Sequence, residues 1–283
     1  MSTSSISQRF YGLPWRLWFR QVRSVVALES RRNLFTWRSF WVYFLAFGPT
    51  AIIMLHALVD KHSRMDEDTQ VLAAIFQFYY LRLAMFFGCL GIFTRLIRGE
   101  MVERSLHYYL LSPVRREVML IGKFVAGAIR SILLFGSAVL LSFFFIYLPH
   151  GAAGEAFISE GPGKTYIYAY LGITVLACLA YGAIFLLFSM LMKNPTPAAL
   201  LLMGWEFISS ILPAFLQKFS VTYYLRPMLP VTIPGEGLFA LLTVNVEPVP
   251  AWISTAGVLS LTAAVLALCC WRVRTLEISY TAE

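Results

Sequence analysis

Six apolar runs, each close to twenty residues or longer, dominate this 283-residue chain; they lie at 40–59, 71–94, 118–148, 166–192, 198–216 and 252–271. About 20 apolar residues cross the ~30 Å hydrocarbon of a bilayer. Within that hydrocarbon, only helices and closed barrels satisfy their own backbone. Runs of this length therefore predict an all-α integral membrane protein with six transmembrane helices. Composition agrees, since 59% of residues are hydrophobic and 13% charged, against about 25% charged in soluble domains.

The formal net charge of +8 is spread beside the apolar runs. No basic stretch is long enough to track a phosphate backbone, so nucleic acid is not an expected partner, whereas anionic lipid headgroups are. With the N-terminus inside, 16 Lys and Arg fall on cytoplasmic segments and 5 on outer ones. That asymmetry predicts a multi-pass protein of the plasma (cell inner) membrane with both termini cytoplasmic. The expected organisation is a cytoplasmic N-terminus at 1–37, a transmembrane domain at 38–272 and a cytoplasmic tail at 273–283. No removable leader is expected, because the first residues are polar and basic.

Residues 13–34 predict a helix lying in the membrane interface. Arg16, Arg20 and Arg23 share one face at spacings of four and three, and Trp15, Trp18, Phe19, Val22 and Val26 crowd another. It serves either as an anchor or as a lever toward a cytoplasmic partner. Gly48-Pro49 predicts a kink in the first span. The outer segment 217–251 holds five prolines, and its apolar stretch 235–244 suits a re-entrant element or a surface loop.

The charged interruption at 95–123, RLIRGEMVERSLHYYLLSPVRREVMLIGK, stands apart from the rest. Its first part predicts a short amphipathic helix over 99–111, with Met101, Val102, Leu106 and Leu110 on one face and Glu100, Glu103, Arg104 and His107 opposite. Glu100 and Arg104 have the i, i+4 order of an ion pair. Ser112-Pro113 stops this helix and starts the next. Lys123 is expected to snorkel from the third span to the cytoplasm.

The order Glu103, Ser105-Leu106, Leu110-Leu111, Pro113, Arg116 and Gly122-Lys123 resembles the segment between the second and third spans of ABC-2-type permeases, the membrane subunits of ABC exporters. Ser105 departs mildly from the Thr usual there. The layout of six spans, a leading interfacial helix and a basic end is similar throughout. The resemblance implies an ATP-driven exporter subunit in which 95–123 couples to a separate nucleotide-binding ABC ATPase. The coupling residues it implies are Glu100, Glu103, Arg104, Leu106, Leu110, Pro113, Arg115 and Arg116. It further implies pairing with a second permease copy or paralogue, with ATP and Mg bound by the partner and no cofactor in this chain.

Other chemistries fare less well. Gly161-Pro-Gly-Lys-Thr165 imitates the end of a phosphate loop but lacks its first glycine, since Ile158 stands there. The four cysteines sit in apolar runs, and His56, Asp60, His62 and His150 lack metal-site spacing, so no metal is expected. Arg82, Arg130 and Glu206 fall within spans, where a charge needs a polar neighbour. Arg130 and Glu206 reach similar depths and are expected to pair, with Arg82 facing a backbone carbonyl, Glu206 or an anionic substrate. Phe76, Phe78, Tyr79 and Tyr80 form either an interfacial belt or a lining of the pathway. A membrane-embedded enzyme and a secondary transporter are the alternative functions. The first needs clustered catalytic groups and the second favours internal repeats, and neither is visible.

Overall fold

The computed structural model describes residues 15–32, 40–59, 64–102, 114–209, 213–231 and 250–274. Helices account for the ordered elements among them, and no strand occurs in those residues. The interfacial sequence forms α1 (Trp15–Arg32), followed by α2 (Phe40–Val59) and α3 (Met65–Gly99), which continues through Glu100–Val102. Next come α4 (Arg116–Tyr147), α5 (Gly151–Ser159) and α6 (Gly163–Leu191). Then follow α7 (Pro195–Ser209), the short α8 (Ala214–Gln217) and α9 (Val221–Leu225), and α10 (Ala251–Arg274).

Among the described residues five stretches are long and apolar enough to cross a membrane: α2, α3, Arg116–Ser159, α6 and α10. The expected fifth run is described as α7 as far as Ser209, and its residues 210–212 lie outside the described residues. The decoy phosphate loop is a helix-to-helix turn. Helix α5 precedes it where a strand would be required, and Lys164 Nζ donates to the Ser159 carbonyl at 3.0 Å.

Helices α4 and α6 form the centre, with α3 against both, α1 and α2 on the α4 side and α10 on the α6 side. Small residues let the helices approach closely, as membrane bundles require in the absence of a strong hydrophobic drive. The Phe93 ring of α3 lies over Gly127 of α4 and Gly182 of α6, where an added Cβ would come within 2.8 and 2.4 Å of the ring.

Pro49 sits inside α2 and supplies no N–H, so the Leu45 carbonyl four residues back loses its helical donor. The Tyr79 hydroxyl donates to that carbonyl at 3.1 Å. Tyr80 donates to the Ala46 carbonyl at 3.1 Å, and Thr50 to the Ala138 carbonyl at 3.1 Å. The hydroxyl oxygens of Thr50, Tyr80 and Ser142 lie 2.9–3.0 Å apart. With two protons committed to carbonyls, Ser142 supplies the third. The proline turn of α2 is thus tied to α3 and α4 by side chains.

At the opposite end of the bundle from α1, buried Asp68 holds His150 Nε2 at 2.9 Å and His56 Nε2 at 3.6 Å. Thr69 and Tyr147 hydroxyls meet at 2.8 Å beside them. Asp60 and His62 lie outside the described residues.

Candidate coupling site

Helix α1 turns Trp18, Val22, Val25 and Glu29 onto one side at spacings of four, three and four, which keep residues on one helical face. Val25 and Glu29 are buried where this face meets α4. Contact is close because position 122 is glycine: a Cβ there would lie 2.9 Å from both Cβ and Cγ1 of Val25. The next residue, Lys123, is fully buried. Its ammonium lies 2.6 Å from Glu29 Oε1 and 2.7 Å from Glu100 Oε1.

This corrects the expectation that Lys123 snorkels to water. Two carboxylates reach it inside the protein, and a buried charge persists when it is paired. Glu100 pairs with Lys123, while Arg104, its expected i, i+4 partner, lies outside the described residues. Burial pushes the Glu100 carboxyl above its ordinary value, with the Lys123 ammonium opposing.

Glu100 and Lys123 bracket the charged segment, so their ion pair closes its neck. Residues 103–113, with Glu103, Arg104, Leu106, Leu110 and Pro113, lie outside the described residues. The segment re-emerges at Arg115, whose guanidinium stacks 5.0 Å over the Trp18 ring of α1. Arg116 donates to the Arg274 carbonyl at 3.3 Å, and Arg274 Nε donates to Glu117 Oε1 at 2.7 Å. The exposed contacts are individually weak, yet they register the end of α10 against the start of α4. Four helices thus converge on one neck: α1, α3, α4 and α10. Glu29 escaped the sequence reading, although a carboxylate on the apolar stripe of an amphipathic helix is a signal that it has a buried partner.

A family model described as ABC-2 family transporter protein matches residues 27–272, from just before Glu29 to the last turn of α10. The chain belongs to that family. It is a multi-pass membrane protein, the permease of an ABC transporter. No curated protein matches the chain.

The ABC-2 permease arranges its intramembrane charges differently from the expected Arg130–Glu206 pair. Glu206, near the end of α7, receives the Ser220 hydroxyl at 2.6 Å and the backbone N–H groups of Val221 and Thr222 at 2.9 and 3.1 Å. These are the orphan amides at the start of α9, where a carboxylate is also favoured by the helix dipole. Glu206 therefore braces α7 against α9. Arg82 lines a small cavity with Glu206, Tyr181 and Thr222, with its guanidinium 5.1 Å over Phe207 and 5.9 Å over Phe78. Arg130 lies elsewhere, on a larger cavity beside Tyr43 and Glu29. Depth along each helix was similar, but the helices present the two residues to different neighbours.

The aromatic cluster of the permease also divides. Phe76 and Tyr80 are buried within the bundle, with Phe76 4.5 Å from the Tyr170 ring. Phe78 and Tyr79 are half-buried, and Tyr79 donates to the carbonyl that Pro49 leaves without a helical donor.

Proposed function

We propose that this permease is the membrane subunit of an ATP-driven exporter, and that segment 95–123 receives the motion of a separate ABC ATPase at the cytoplasmic face. The observation that carries the reading is the closed neck. A segment that transmits a push needs both ends held to the helices it must move. Here Lys123 ties the two ends together and to α1, while Arg116 and Glu117 meet α10. A displacement at the neck would reach four helices through these direct contacts. In this reading both termini are cytoplasmic, the apolar run 198–216 is one of six crossings, and α1 lies in the interface. Two permease copies or paralogues enclose the pathway, with ATP and Mg held by the ATPases.

Co-purification with the partner ATPase, followed by hydrolysis and transport assays in vesicles, tests the reading. Glu103→Ala and Arg116→Ala are expected to keep the complex assembled while uncoupling hydrolysis from transport. Normal coupling in both variants would refute it.

A further inference from the structure

Arg82 is the middle residue of the 35-residue α3, about 26 Å from either end at 1.5 Å per residue. A cation at mid-bilayer depth calls for a polar partner. A backbone carbonyl and Glu206 were two of the expected partners, and the structure uses neither. Among the described residues Arg82 makes ring contacts to Phe78 and Phe207, with no hydrogen bond and no ion pair. The rings attract its charge through their faces and leave the five N–H donors of the guanidinium unmet. Glu206 shares the cavity, but its oxygens receive the Ser220 hydroxyl and the Val221 and Thr222 amides. It offsets the Arg82 charge from a distance without meeting those donors.

The cavity beside Arg82 restricts what can meet them. Its volume is about 10 Å³, room for a single water-sized group, which suits one carboxylate oxygen and not the several oxygens of a phosphate. The Tyr181 and Thr222 hydroxyl oxygens lie 3.4 Å apart in its wall. One of their two protons serves that contact, and the other is left for an acceptor in the cavity. Phe86, Met203 and Phe207 make the rest of the lining apolar. Arg82 itself is half-buried, so a ligand can reach it from the side of the bundle. Bilayer headgroups stay about 15 Å away, at the edges of the hydrocarbon.

We propose that Arg82 binds the carboxylate of an amphiphilic anion. One oxygen occupies the cavity, on the guanidinium and the free hydroxyl proton, and the apolar body lies against Phe78 and Phe207. That this ligand is the cargo rests on the exporter reading above. The binding itself does not, and it is measured on the permease without an ATPase, so normal coupling in the Glu103 and Arg116 variants would leave it standing.

Radiolabelled dodecanoate and the full chain in phosphatidylcholine nanodiscs test it, with empty discs as the blank. Wild type is expected to bind dodecanoate saturably above the blank, and to release it to unlabelled dodecanoate but not to dodecanol. Arg82→Gln weakens binding by about ten-fold or more through the lost charge-assisted hydrogen bonds, and Arg82→Lys weakens it less. Thr222→Val weakens it several-fold, with thermal unfolding showing that each variant is folded. Absence of saturable binding to wild type would overturn the proposal, as would dodecanol that competes as well as dodecanoate; neither result depends on a variant. Wild-type affinity in R82Q would overturn it too. So would displacement by dodecyl phosphate at the same concentration as dodecanoate, since the cavity would then not select a carboxylate.

Discussion

The Lys123 ammonium meets the Glu29 carboxylate at 2.6 Å, joining residues 94 positions apart with neither side chain open to solvent. Removing one partner of a buried pair leaves an uncompensated charge, at a cost of about 3–5 kcal/mol. Lys123→Met strands both Glu29 and Glu100. A large fall in thermal stability is expected, with most of it returned when Glu29→Gln and Glu100→Gln are added.

The pH dependence follows from Glu100, whose carboxyl is held above its ordinary 4.5 chiefly by burial, with Lys123 pulling the other way. A raised folded-state value means that folding favours the protonated form. Its contribution is therefore fully present below 4.5 and is lost as pH rises through the folded value. Relative to wild type, E100Q is expected to lack this decline in a melting series that begins below pH 4.5 and runs upward.

Gly122 sets how closely α1 packs on α4. A methyl at this position would lie 2.9 Å from two carbons of Val25, and overpacking costs about 1–3 kcal/mol. Gly122→Ala is expected to speed hydrogen exchange in α1, and adding Val25→Gly to return part of the protection.

Tyr79 and Pro49 are expected to be coupled. Tyr79→Phe removes the donor to the Leu45 carbonyl, a loss of about 1 kcal/mol for one hydrogen bond. Pro49→Ala restores the backbone N–H that would serve the same carbonyl, so Tyr79→Phe costs little in that background. A double-mutant cycle on unfolding measures the difference; equal costs in both backgrounds would dismiss it.

Glu206→Gln has one acceptor oxygen where the carboxylate had two for three donors. Each lost charge-assisted bond is worth about 1.5–3 kcal/mol. Faster exchange at the Val221 and Thr222 amides is expected, with exchange in α6 unchanged.

Much of the membrane architecture was legible from run length. Stretches such as 40–59 and 166–192 are apolar because lipid or the packed interior of the bundle surrounds them, and that demand falls on consecutive residues. Run 198–216 was harder to read. Its residues are as apolar as its neighbours, but Glu206 within it is used to cap α9. The candidate site was half legible. The motif marked 95–123 and its glycine-lysine pair, while Glu29 lay outside the motif and Lys123 was read as reaching water.

By itself, the sequence determined that the chain enters a membrane as helices and where a charged segment interrupts them. Both are local properties, set by hydrophobic length and by charge along consecutive residues. Which charges meet was decided only by the tertiary structure. Arg130 and Glu206, expected at one depth, face different helices, and Lys123 is buried because Gly122 lets α1 close over it. Depth follows from position in one helix, but pairing depends on the rotation and approach of two, which no single run of residues encodes.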